Sequence, residues 1–375
     1  MSVSPAGRRL VLVLLAAGVV RLVAVLVSAR TTVDVLRYHK VAEHVLDVSW
    51  NPYQAPRLYP YPPLWVWFEA AAGWLERHGL SFPIVVKLPV VAADLGIVAL
   101  LAGWSRRAAW MYALHPVSVL VTGFHGQFDA LMLLFVLAAL RWHEQGAEGR
   151  SALALAGAVA TKSVPILLLP FFLLAIPETR RRLRFAALAI GPVLLALVPY
   201  AVHDLGALRR ELVGYGGIAD FGWIGVVRGW RYVMTGELHK SRADLWGASV
   251  PVAKALFLAA YGLLLWAQAR GRLRLTLPAA TAAVFLSFLV FYGLISAQYL
   301  LWPVAVGAIL GGAWFVGYGV TATFALAGFY AFLAPGVFFD DEVARGQGTV
   351  WVAGATAVLV ASAGWLAGLV RRSAP

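Results

Sequence analysis

An all-α, polytopic transmembrane helical bundle is the fold this sequence predicts, and three observations carry it. First, the 375 residues are 61% hydrophobic and only 13% charged, against about 45–50% and about 25% in a soluble domain. Second, apolar runs of roughly 20 residues recur along the whole length, each long enough for the hydrocarbon core of a bilayer. They are too long and too uniformly apolar for barrel strands, so backbone groups must be satisfied within helices. Third, the excess of cations, a net charge of +13, falls in short clusters between the apolar runs. That is the pattern of a membrane protein obeying the positive-inside rule, and nucleic acid is excluded as the partner. With no cysteine, disulfides and thiolate metal sites are excluded too.

The order of elements follows from the apolar runs. Residues 10–29, 62–76, 83–104, 108–123, 128–142, 151–162 with 164–177, 185–202, 250–269, 276–295, 298–316, 318–338 and 349–370 are the expected membrane segments. They make about 10–13 crossings or part-crossings in a single domain covering 1–375. The first run ends in Val27-Ser28-Ala29 like a secretory signal, but its length and Arg21 favour a retained helix. Arg8 and Arg9, Arg180 to Arg184, Arg270 to Arg274, and Arg371 and Arg372 belong on the cytoplasmic side. Residues 30–60, 203–249, Ser296 to Gln298 and 339–348 then face the opposite side. Arg106 and Arg107 favour a cytoplasmic 105–107 turn, which is one crossing out of step with this count. One of 62–76, 83–104 or the pair 151–162/164–177 must therefore be short or re-entrant, with the last pair the first choice.

Residues 30–61 stand out as a polar, aromatic and proline-rich loop hung from the first helix. Asp34 within it reads either as a solvated loop acid or helix cap, or as a general base at the membrane surface. Tyr59-Pro60-Tyr61-Pro62-Pro63-Leu64 cannot be regular helix before Pro63, and makes a rigid entry to the next segment. Lys87 and Asp94, two helical turns apart, read as a mutually compensating pair inside the membrane. His125-Gly126-Gln127-Phe128-Asp129 forms a polar turn between two apolar runs, with Asp129 either capping the next helix or joining a site. Lys162, before Pro165, requires an anionic partner: a lipid phosphate, or a protein acid such as Asp129. Residues 203–249 carry Trp223, Trp230 and Trp246 among arginines. They read as an interfacial segment or as a lid over a site. No HExxH, P-loop or dinucleotide-binding glycine string is present.

Taken together these strings resemble the GT-C superfamily of polytopic membrane glycosyltransferases. The likeness is greatest to the catalytic subunit of GPI mannosyltransferase I and its prokaryotic, polyprenyl-phosphate-sugar-dependent relatives. It rests on Asp34, Asn51-Pro52-Tyr53, Tyr59 to Leu64, Lys87 with Asp94, His115-Pro116, Lys162 with Pro165 and Pro170, and Gln298-Tyr299 with Trp302, in that order. The resemblance covers roughly residues 10–305. It implies an extracytoplasmic hexosyltransferase of the cell envelope, most readily a mannosyltransferase. The donor would be a polyprenyl-phosphate-linked sugar, the acceptor a lipid or glycan, and membrane lipid and an accessory subunit further partners. Asp34 becomes the catalytic base in an inverting displacement; Lys162, His125 and Arg37 bind the donor phosphate. Gln127, Asp129, Tyr61, Gln298, Tyr299 and Trp302 contact sugar or acceptor. The GPI enzymes carry a paired Asp-x-Asp where this chain has Thr32 and Asp34. A divalent cation, Mn2+ or Mg2+, is therefore an open cofactor with no two-acid ligand set. A lipid or sugar transporter or flippase, or a non-catalytic membrane subunit, are the competing functions. A transporter would show inverted repeats, and none is visible.

Overall fold

The computed structural model describes residues 5–28, 33–214, 217–236, 245–333 and 341–374. Thr32 of the expected acidic motif, and Lys240 and Arg242 of the expected lid, lie outside them. The described chain is helical throughout, apart from turns and one isolated bridge between Phe221 and Ile295.

The elements in order are α1 Pro5–Val27, α2 Val33–Glu43, α3 Val66–Glu76, α4 Phe82–Ala102, α5 Arg106–Ala113 and the single turn α6 Pro116–Ser118. A π-helical stretch, Val119–His125, leads into α7 Asp129–Glu144, which is followed by α8 Glu148–Thr161, α9 Leu169–Ala175 and α10 Thr179–Gly214. The rest are α11 Gly222–Thr235, α12 Leu245–Ala269, α13 Leu277–Phe291, α14 Trp302–Leu310, α15 Gly312–Leu333 and α16 Asp341–Ser373. Among the described residues, six helical stretches are long and apolar enough to cross a membrane: Arg9–Val27, Phe82–Ala102, Thr179–Gly214, Ser249–Ala269, Gly312–Leu333 and Gly348–Ser373. The protein is a multi-pass integral membrane protein.

Contacts divide the chain into two compact units. The first comprises Met1–Leu114 and Val121–Tyr215, the second His115–Leu120 and Gly216–Pro375. In the first unit α4 packs on α1, α5 and α7, α7 packs on α8, and α8 packs on α10. In the second, α15 and α16 form the most extensive pairing, with α13 and α11 against α16.

Several expected boundaries move, for local reasons. The segment expected over 62–76 begins only at Val66 and has 11 residues, about 17 Å of helix, because three prolines precede it. It is too short to cross. Helices α1 and α4 are the crossings on either side, so the 105–107 turn returns to the side of Arg9 and the one-crossing discrepancy disappears. The pair expected to be re-entrant is short as well, with 14 residues in α8 and 12 in Val164–Ala175. The run expected over 108–123 breaks at His115, whose backbone is extended and whose Nδ1 accepts from Val117 N at 3.3 Å. The boundary expected near 317 falls instead at Gly311 and Gly312, with φ of 64° and 87°. Only glycine adopts this pair of conformations without strain. Most of the described part of 203–249 is helical: α10 continues to Gly214 past a single non-helical residue, Asp204, and α11 fills 222–235.

Candidate active site

The site forms inside the first unit, where the start of α2 meets the turn between the π-helical stretch and α7. Helix α2 buries one face, through Val35, Tyr38, Val41 and Ala42, and leaves Leu36, Arg37 and Lys40 in the open. Asp34 lies in its first turn, where an acid is favoured by the helix dipole. Its carboxylate meets two groups from the distant turn. His125 Nε2 is 2.8 Å from Asp34 Oδ2, and the Gln127 amide donates to the same oxygen. One helical turn along α2, Tyr38 Oη donates to Gln127 Oε1 at 2.9 Å. The Gln127 amide is thereby oriented from both ends, oxygen toward Tyr38 and nitrogen toward Asp34. The Asp34 side chain remains 21% exposed, so the clamp holds the carboxylate without sealing it.

Gly126 makes this convergence geometrically possible. Its φ is +80°, and a Cβ there would lie 2.7 Å from Lys87 Cε and 2.8 Å from Lys87 Cγ. The turn needs both a left-handed conformation and an absent side chain. Lys87 fills the space behind it. Its Nζ donates to Ser28 Oγ and Phe124 O at 2.8 Å each and to Ser28 O at 3.3 Å. It thereby ties the end of α1 to the residue just before His125.

The expected compensation of Lys87 by Asp94 does not occur. Seven residues rise about 10.5 Å along a helix, beyond direct pairing. Asp94 instead binds the Arg21 guanidinium and the Tyr112 hydroxyl, and accepts from Thr122 Oγ1 at 3.2 Å. Arg21 Nη1 also donates to Ala113 O at 2.6 Å and to Ala17 O at 3.1 Å. Arg21 and Asp94 are fully buried.

Lys162 finds the protein acid among its two expected partners. It follows α8 in an extended conformation, and Nζ donates to Asp129 Oδ1 at 2.8 Å and Oδ2 at 2.6 Å. The Phe128 and Tyr61 rings lie 5.2 and 5.7 Å from the ammonium, close enough for cation–π attraction. Phe128 stacks on Trp65 at 4.7 Å and meets Tyr61 edge-on at 4.8 Å. Phe128, Tyr61 and Trp65 thus form an aromatic wall beside the Lys162 pair.

The Asn51 to Leu64 segment is the rigid frame for that wall. Tyr59 Oη donates to Pro62 O at 3.0 Å and accepts from Val66 N at 2.9 Å, while Tyr53 Oη donates to Tyr61 O at 2.9 Å. The far part of α10 holds the frame from outside. Arg210 Nη2 donates to Tyr53 O at 3.2 Å, and Glu211 Oε1 accepts from Arg57 N at 3.0 Å. Arg57 itself adopts a φ of 63°.

The electrostatics favour an ionised Asp34. Burial alone would raise its pKa. The hydrogen bond and charge of His125, the charge of Arg37 and the Gln127 hydrogen bond outweigh that and hold it below the usual carboxylate value. Tyr38 goes the other way: burial, then the neighbouring carboxylates, push its hydroxyl well up, so it stays a donor.

Asp34, His125, Gln127, Asp129, Tyr61 and Lys162 thus come together, with Arg37 exposed beside them. Gln298, Tyr299 and Trp302 belong to the second unit. There Tyr299 and Trp302 pack at 4.4 Å and both contact Phe288. Sequence reasoning missed Tyr38, Trp65 and Glu211, and placed Arg210 only among the cations of the 203–249 segment. Only Tyr38 left a signal, its i,i+4 spacing from Asp34. Among the described residues no cluster of three or more histidine or acidic side chains is arranged to hold a metal ion.

Fold and site together describe a multi-pass helical membrane protein with a clamped, solvent-reaching carboxylate beside an aromatic wall. The chain belongs to glycosyltransferase family 87, whose model matches residues 59–297. Among solved structures it is similar to ArnT from Cupriavidus metallidurans, determined with undecaprenyl phosphate bound. The identity is 17% and the TM-score 0.41, over 96% of this chain and 77% of that one. No curated protein matches the chain.

Proposed function

We propose that the protein transfers a hexose, mannose first, from a polyprenyl-phosphate-sugar to a lipid-linked or glycan acceptor on the extracytoplasmic face of the plasma membrane, by a single inverting displacement. The observation that carries this reading is the Asp34 carboxylate, held by His125 and Gln127 yet 21% exposed. An acceptor hydroxyl approaching it gives its proton to the free carboxylate edge as its oxygen bonds to the anomeric carbon. The bond from that carbon to the phosphate oxygen breaks, and its electron pair stays on the lipid phosphate. This leaving group is already an anion, so cations rather than an acid serve it. Arg37, exposed on α2 beside Asp34, brings positive charge toward it; His125 and Lys162 add to the field, the latter already shared with Asp129. Tyr61 offers an aromatic face to the sugar, and Asp129 and Gln127 offer polar contacts. The donor class and mannose rest on the GT-C resemblance.

The test is to incubate purified protein with a panel of polyprenyl-phosphate sugars and a membrane-glycan acceptor extract, following release of polyprenyl phosphate. Transfer from polyprenyl-phosphate mannose, retained in EDTA, is the expected result. Transfer only from a nucleotide sugar would defeat the donor assignment. Loss in EDTA restored by Mn2+ or Mg2+ would bring a metal into the mechanism.

A further inference from the structure

A cavity lies at the opposite end of α1 from Asp34. The N-terminal part of α1, the end of α4 and the start of α5 enclose a cavity of about 580 Å³. Arg9, Arg106 and Arg107 line it together with Leu12, Val13 and Trp110, and no carboxylate is among the lining residues. The three arginines are exposed and form no ion pair among the described residues. Guanidinium groups match phosphate oxygens in a two-pronged geometry. Below them the apolar side chains Leu12, Leu15, Val19, Leu22 and Leu26 stay exposed along α1, a surface suited to an acyl chain. Trp110, also exposed, brings an indole to the level where a bilayer's head groups begin.

The geometry points to a binding site for an anionic glycerophospholipid, with its phosphate among Arg9, Arg106 and Arg107 and one acyl chain along α1. Charge complementarity selects the occupant: three arginines with no acidic partner among the described residues, above an apolar wall, attract an anionic head group and gain little from a zwitterionic one. The site is separate from the Asp34 clamp. From Arg9 to the end of α1 is 19 residues, about 28 Å of helix, most of a bilayer's thickness. Occupancy fixes α1 against α4 and α5, the same contacts that carry Arg21 and Asp94. The inference does not depend on which sugar the enzyme transfers.

The experiment is native mass spectrometry of the delipidated full chain with phosphatidylglycerol or phosphatidylcholine. Phosphatidylglycerol should bind in preference. The variant Arg9→Gln/Arg106→Gln/Arg107→Gln should weaken it by about tenfold or more, while Arg77→Gln, at the end of α3 and paired with Asp47 at 2.6 Å, should not. Equal retention of both lipids, wild-type binding by the triple variant, or equal loss in Arg77→Gln would overturn the assignment. If the triple variant fails to fold, brominated phosphatidylglycerol supplies the readout. It should quench the fluorescence difference between wild type and Trp110→Phe, and brominated phosphatidylcholine should not. Absence of that difference contradicts the site as firmly.

Discussion

Two polar clusters lie in the same unit, and each is built around an aspartate with a nitrogen-bearing partner, a second polar side chain and a tyrosine, which touches the carboxylate itself only at Asp94. Around Asp94 the partners are Arg21, Thr122 and Tyr112, and Arg21 and Asp94 are 0% exposed. Around Asp34 they are His125, Gln127 and, through Gln127, Tyr38, with the carboxylate 21% exposed. The ingredients are alike, and access and permanent charge differ. Arg21 is a permanent cation that neutralises Asp94 inside the helix bundle, so the cluster binds helices together and has no free edge for a substrate. His125 offers an imidazole rather than a guanidinium, and the Asp34 side chain is left 21% exposed. A buried polar group in a membrane protein is thus a structural tie or a reactive centre according to what reaches it, not according to its residue type.

The largest expected effect tests the tie. Asp94→Ala removes the carboxylate that balances the buried Arg21 charge, at a cost of about 3–5 kcal/mol. Little folded protein should survive detergent extraction, as read by size-exclusion chromatography. Normal yield and Tm would mean that the cluster is dispensable. Gly126→Ala comes next. A Cβ has no room beside Lys87, so His125 and Gln127 should be displaced from Asp34, and kcat should fall by up to about 100-fold with a smaller loss of Tm. Lys87→Met keeps the aliphatic stem but loses the ties to Ser28 and Phe124. A kcat fall of about tenfold is expected with donor KM nearly constant. A change confined to KM would instead make Lys87 a donor ligand. The smallest effect is a shift in pH dependence. Gln127 stabilises the charged form of Asp34, so Gln127→Leu raises its pKa. The acid limb of kcat/KM should then move to higher pH, and an unmoved limb would separate that limb from Asp34.

The sequence made the bundle legible, because apolar runs of membrane length leave few alternatives. It also made the convergence on His125 and Gln127 legible, since a glycine between two polar residues at the end of an apolar run allows both to turn one way. Other features stayed hidden for physical reasons. The segment over 62–76 is one of three that the charge pattern allows to be short, with the pair 151–162/164–177 the first choice, and it is the prolines before Val66 that cut α3 to 11 residues. Lys87 and Asp94 share a helix face, but pairing depends on Arg21, 73 residues from Asp94, which no local pattern connects to it. Lys162 required an anion, and sequence could not choose between a lipid phosphate and Asp129. The contacts of Arg210 and Glu211 with the frame depend on how α10 continues past Asp204, which is a tertiary outcome.

The central claim is that Asp34, alone of these two aspartates, is the base. Its direct test is sugar release by Asp34→Asn with polyprenyl-phosphate mannose under single-turnover conditions, alongside Tm. The account predicts a rate lower by about 10²–10⁴-fold with Tm within a few degrees of wild type. A folded Asp34→Asn protein that turns over at near the wild-type rate would contradict it.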